Sequence, residues 1–251
     1  LYREMEKAGE LDVRMFVYPS IGKTGDFTEA KELMKEYSDG YVVMPGLKAY
    51  GDGVIDAHTG VLNEPYLDDP DDPEMNATPI FTQEALSDII TRANGEGFPV
   101  RIHCTGDGGV RMALNAFEAS VKANGRHGLR NGIEHVELVE DEDYPRFAEL
   151  DVMANKQPAH YYLCTEKFML DALGQRRWFR SQPLKSLYDA GAKVSLSTDF
   201  PIVEINPFHN MYVAVTRLDL EGNEIGADIN EKIDIFQALE GYTYMGAYAM
   251  G

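Results

Sequence analysis

The sequence predicts an α/β protein built on a parallel sheet with helical crossovers. Three observations carry that expectation. β-type runs alternate with amphipathic helical stretches along the chain. The β-type runs are mostly apolar without strict alternation, as suits a sheet buried on both faces. Three of them end on His103, His135 and Asp199, where an apolar run gives way to loop. With 251 residues and 28.1 kDa, the chain has the length of one (β/α)8 barrel or of one or two smaller domains.

The first strand is expected over DVRMFVY (12–18). A helix follows from Thr28 to Tyr37, with Thr28 as N-cap, Glu29 in the first turn and Leu33 and Met34 on its apolar face. The second strand is YVVMPGLKAY (41–50), and after it comes a long loop rich in Asp, Pro and Gly, residues 51–79. Loops of that length in a compact domain are usually lids or disordered. Its DDPDDPE stretch reads as a solvated tip, and Glu64, Pro65 and Tyr66 as candidates for a pocket wall.

Thr82 to Glu96 is a helix by its threonine cap and by Ala85, Leu86, Ile89 and Ile90 at helical spacing. PVRIHC (99–104) is the third strand, and Val110 to Ala123 the next helix, with Met112, Leu114, Ala116, Phe117 and Val121. RNGIEHVE (130–137) is the fourth strand. Asp141 to Leu150 opens on acids, as the helix dipole favours. DVMANKQPA (151–159) and AKVSLST (192–198) complete six strands, and the short helix Leu184 to Ala190 between them stops at Gly191.

Charge and composition exclude several functions. The 42 acids against 23 bases give a net charge of −19, which argues against nucleic acid as a partner, since phosphate binding needs basic patches. No run reaches the roughly 18 apolar residues that a membrane span needs. LYREMEKAGE at the start lacks the layout of a signal peptide. Cys104 and Cys164 form no CxxC pair, so neither a disulfide framework nor a Cys-type zinc site follows, and a cytoplasmic setting is expected. SIGKTGD (20–26) resembles the end of a P-loop, but Val17 stands where that motif needs its first glycine.

The strand ends carry the chemistry. In parallel α/β folds ligands bind beyond the carboxyl ends of the strands. Two histidines and an aspartate arriving at one rim make a metal-site arrangement, because neutral imidazole and carboxylate are natural zinc ligands. Lys48 lies inside an apolar run, where a lysine is costly unless paired or neutralised. Either it pairs with Asp52 or another acid, or it is a carbamate whose oxygens bridge two metals.

A resemblance joins these pieces. GLKAYGDG (46–53), EPYLD (64–68), IHCTGD (102–107), NGIEHVELV (131–139) and SLSTDFPI (195–202) resemble the amidohydrolase superfamily. The match is to its amidohydrolase 3 branch, which holds N-substituted formamide deformylases and YtcJ-like proteins. FAELDVMANKQPAHY (147–161), LYDAGAKVSLSTDFPIVEINPF (187–208) and QALEGYTYMGAYAMG (237–251) extend it over nearly the whole chain.

The resemblance implies a metal-dependent hydrolase TIM (β/α)8 barrel. It carries over Lys48 as the fourth-strand ligand, often carbamylated, His103 as the fifth, His135 as the sixth and Asp199 as the eighth, around one or two divalent ions, zinc by default. It makes the run at 12–18 the third strand. The family's first-strand His-x-His has no counterpart, because no two of His58, His103, His127, His135, His160 and His209 are two apart. Residues 1–251 are therefore expected to be a partial barrel domain, strands three to eight, without the first two strands and the small β-sandwich domain. Six strands cannot close such a barrel, and exposed edges would call for cover, for instance in a homo-oligomer.

The implied reaction is hydrolysis of an amide or other non-peptide C–N bond in a small molecule. Asp199 would ligate metal, act as general base and pass its proton to the leaving nitrogen, and His160 would hydrogen-bond the substrate or the oxyanion. Tyr50, Tyr66 and Trp178 are candidate pocket walls. Asp52, Glu134 and Asp107 could orient ligands but read more naturally as solvated or paired acids. The alternative is a catalytically incomplete piece with a structural or interaction role.

Overall fold

Five parallel strands bring their carboxyl ends to one rim. In the computed structural model, which describes residues 1–22, 24–69, 71–72, 74–126, 128–225 and 228–251 with Tyr162 by its backbone alone, they are β3 (Leu47–Tyr50), β4 (Val100–Cys104), β5 (Gly132–His135), β6 (Met153–Lys156) and β7 (Val194–Leu196), side by side in that order. β1 (Met15–Phe16) and β2 (Val42–Val43) form a separate parallel pair. The chain after β1 then runs beside β3: Lys48 donates its N–H to Pro19 at 2.9 Å and its carbonyl accepts from Ile21 at 2.7 Å. Register aligns Tyr50 with His103 and Cys104 with His135, so each strand delivers its last side chains to the same edge.

The helices are α1 (Tyr2–Ala8), α2 (Thr28–Glu36), α3 (Gln83–Gly95), α4 (Asp107–Asn124), α5 (Tyr144–Leu150), α6 (Glu166–Phe179), α7 (Lys185–Asp189), α8 (Pro207–Thr216), α9 (Ile235–Tyr242) and α10 (Tyr244–Met250). α3 forms where its sequence says it should. Thr82 caps it by accepting from the Ala85 N–H at 3.2 Å, and Leu86, Ile89, Ile90 and Ala93 face inward. Leu86, Ile90, Leu114 and Phe117 are at most 1% exposed between these helices and the sheet. Each such side chain contributes about 1.5–3 kcal/mol of burial. None of the described helices is long and apolar enough to cross a membrane.

Several boundaries differ from expectation, each for a local reason. Residues 41–50 are two strands rather than one. Pro45 has no N–H for a ladder, and a Cβ on Gly46 would fall 2.5 Å from the Pro99 carbonyl oxygen. β6 stops at Lys156 because Pro158 opens a 3-10 turn over residues 158–162. Thr28 is the first helical residue of α2 and not its cap; its N–H and hydroxyl donate to Asp26 at 2.9 and 2.8 Å. α5 begins at Tyr144, after the acids 141–143. α4 starts three residues early, at Asp107, through a glycine-rich turn. A Cβ on Gly106 would lie 2.0 Å from the Val61 carbonyl oxygen, so only glycine allows the approach.

The long loop is not a free lid over its first half. Ile55, Leu62 and Tyr66 are buried in a second apolar cluster with Leu138, Met169 and Leu173. Pro70 and Pro73 of its acidic tip, Lys23 of the GKT triplet and His127 lie outside the described residues.

Candidate metal centre

A cavity of about 750 Å³ opens over the carboxyl ends of the strands, and Lys48, His103, His135, His160 and Asp199 all line it. The structure thus brings the four expected metal ligands and His160 to one place. Among the described residues His135, His160 and Asp199 form a donor group whose ligand-type atoms lie within 4.8 Å of one another. The His103 ring sits edge-on to His135, 4.4 Å between centroids. Lys48 reaches the cavity from β3, with its Nζ 5.3 Å from the centre of the Tyr50 ring. It makes no ion pair with Asp52 among the described residues.

Each imidazole is oriented by a specific partner. His103 Nε2 lies 2.8 Å from the Gly53 carbonyl, which can only accept, so that nitrogen carries the proton and Nδ1 keeps its lone pair. His135 Nδ1 faces the Gln157 side-chain oxygen at 3.0 Å, leaving Nε2 as the bare nitrogen. Burial, reinforced by the neighbouring His103, His160 and Lys48, pushes His135 down to about 2, and burial likewise lowers His103. Both are therefore neutral at physiological pH, the form that ligates metal.

His160 stacks on His135 at 5.5 Å with the planes 17° apart. Its Nε2 is buried without a hydrogen-bond partner and lies 3.4 Å from Asp199 Oδ2. Such an orphan in a polar site points to a coordinating or hydrogen-bonding role for that nitrogen. Asp199, held at a left-handed φ of 58°, is the most solvent-accessible member of the group, with 40% of its side chain exposed. Two imidazoles and a carboxylate grouped this closely fit a divalent ion of the zinc type.

Asp52, Glu134 and Asp107, read from the sequence as paired or solvated acids that could also orient ligands, divide. Asp52 is buried and accepts backbone N–H groups from Val61 (3.0 Å), Thr105 (3.0 Å) and Gly106 (2.9 Å). Burial pushes its carboxyl up to about 7 while those three donors favour the carboxylate. Glu134 points away from the rim into a smaller cavity of about 210 Å³, where it accepts from Asn155 at 2.8 Å. Asp107 accepts from the Asn63 N–H at 2.9 Å and so ties α4 to the long loop. Tyr50 and Trp178 line the large cavity, and Tyr66 is buried beside it, donating to Gly60 at 2.7 Å. Glu64 and Pro65 give their carbonyls to Arg177 instead of lining a wall.

Three further residues escaped sequence reasoning. Gln157 holds the His135 ring, and Glu137 stands 3.7 Å from His160 Nδ1. Lys156 is 2% exposed and bonds backbone carbonyls beneath the rim. A lysine beside QP in an apolar strand was the one available signal. Cys164 also lines the cavity, but burial raises its thiol to about 11, which leaves it a poor nucleophile.

Comparison with known proteins finds relatives of the chain. A model described as "Amidohydrolase family" matches residues 1–251. The Bacillus subtilis (strain 168) protein YtcJ is 28% identical over 213 residues, 84% of this chain and 39% of that protein. An N-substituted formamide deformylase of Arthrobacter pascens is 28% identical over 172 residues, 68% of this chain and 31% of that protein. An uncharacterized metal-dependent hydrolase from Pyrococcus furiosus superposes with a TM-score of 0.80 at 28% identity, covering 99% of this chain and 48% of that one. The chain thus spans less than half the length of each of these relatives.

Proposed function

The chain belongs to the amidohydrolase family, in its YtcJ-like branch, and from that premise we propose that it carries the metal-binding rim of a hydrolase acting on amide or other non-peptide C–N bonds of small molecules. The observation that carries the reading is the orphaned His160 Nε2 beside Asp199 and His135, inside a cavity large enough for a small substrate. Residues 15–20 and β3 to β7 serve as strands three to eight of the barrel domain.

In this reading Lys48, His103, His135 and Asp199 hold one or two divalent ions, zinc by preference. Burial lowers the Lys48 amine, which favours the neutral form that a carbamate requires. A bound ion would supply a nucleophile from water at neutral pH and polarise the substrate carbonyl. Asp199 accepts the proton of the attacking water and returns it to the leaving nitrogen. His160 Nε2 donates to the substrate oxygen as negative charge builds there. His135 and His103 stay neutral, each fixed by Gln157 or Gly53. The apolar wall of Ile55, Met169 and Trp178 receives the carbon substituents of the substrate.

The test is metal content of the purified full chain, followed by a screen of amides and N-substituted formamides against the wild type and Asp199→Asn. Metal binding with turnover lost in the variant supports the reading; a metal-free protein inert to every substrate overturns it. A His160→Gln variant that loses metal, rather than turnover alone, would move His160 into the ligand set.

A further inference from the structure

β5 ends in an unusual turn. His135 and Val136 both sit at positive φ, 75° and 51°, a region that a β-branched residue such as Val136 strongly disfavours. Residues in that region persist only where the surroundings over-determine them. The restraint here is visible. Lys156 Nζ, at the end of β6, reaches the His135 carbonyl at 2.7 Å, the Val136 carbonyl at 2.9 Å and the Gln182 side-chain oxygen at 3.1 Å. Three acceptors meet the three N–H donors of an ammonium group. Among the described residues Lys156 makes no ion pair, and its amine, which burial lowers to about 7, is held by backbone and amide oxygens.

Its neighbour completes the arrangement. Gln157 binds the His135 ring at Nδ1 and donates to Ser197 at 2.9 Å. Consecutive residues therefore fix one histidine twice, Lys156 by its main chain and Gln157 by its ring. Gln182, the third oxygen on Lys156, is itself at positive φ (54°), donates its N–H to the Glu137 carbonyl and lines the large cavity. A buried lysine is costly unless its donors are matched, and among the described residues these three oxygens are the side chain's hydrogen-bond partners.

We infer that Lys156 is a positioning residue for the metal centre, clamping the strained His135–Val136 turn so that His135 presents Nε2 to the ion. The inference rests on the metal-centre reading above, and its test separates the two. In the full chain Lys156→Met removes the ammonium at similar length. Cobalt(II) is the probe, titrated against a chromophoric chelator. Cobalt affinity should fall by about 10–100-fold, as for other groups that orient a ligand, and the visible bands of the bound ion should shift. In metal-free protein, the imidazole nitrogen spectrum of His135 should change from one tautomer to a mixture.

Lys156→Arg, which keeps charge and donors, should recover part of both signals. Leu187→Ala, a core truncation away from the site, should lower the melting temperature and leave both untouched. If the methionine variant does not fold, Lys156→Gln is read in the same way. Cobalt affinity within about twofold of wild type together with an unchanged His135 spectrum overturns the inference. Should the wild type bind no cobalt, the metal-centre reading falls, and the metal-free His135 spectrum alone decides the role of Lys156.

Discussion

The α3–α4 layer and the rim from His135 to Asp199 are built from the same chain on opposite principles. In the layer, helices run at full length, Thr82 caps α3, and even the polar members are matched. Asn94, for example, accepts from Ser120 at 3.0 Å and donates to Phe98 at 2.9 Å. At the rim, His135, Val136, Gln182 and Asp199 all hold left-handed backbone, and among the described residues a buried lysine makes no ion pair and a buried histidine nitrogen has no hydrogen-bond partner. The layer minimises local free energy. The rim retains unfavourable local conformations because the layer and sheet hold it in place, which is where binding chemistry is expected to reside.

The contrast can be broken by substitution. The largest effect should come from Asp199→Asn, with turnover of a responsive amide falling by about 10²–10⁴-fold while the circular dichroism melt stays put. A variant that keeps its rate would remove Asp199 from the chemistry. Leu114→Ala, in the layer, should do the reverse and cost about 3 kcal/mol in urea unfolding with cobalt affinity preserved. Coupled loss of both would mean that the two regions are not separable.

Asp52→Asn lies between them. An amide supplies one acceptor oxygen and turns an N–H toward backbone donors, so a loss of about 2 kcal/mol is expected by the same unfolding measurement. Thr82→Ala should be the mildest, about 1 kcal/mol from the lost cap, with no change in metal binding. A loss as large as that of Leu114→Ala would show that α3 depends on its cap more than on its buried face.

Legibility in the sequence follows the same division. α3 was readable because cap and period agree within a short window. His103, His135 and Asp199 were readable because each terminates an apolar run, a local pattern that marks a strand end. The break at Pro45–Gly46 was hidden by apolar residues on both sides. The early start of α4 was hidden because Gly106, Gly108 and Gly109 read as loop until Val61 is seen packed against them. Lys156, Gln157 and Gln182 act on His135 across 20 or more residues of separation, or through one another, and no local pattern encodes such contacts. The family resemblance supplied the order of the ligands around the barrel, which spacing alone does not carry.

Asp52 has one more consequence. Its carboxylate is the common terminus for amides of the long loop, at Val61, and of the β4 end, at Thr105 and Gly106. If either segment opened alone, the carboxylate would lose donors while still buried, and that is costly. Opening is thus concerted: the three amides should exchange with deuterium at a common rate, and the loop and the end of β4 behave as one latch on the cavity, closed or released together.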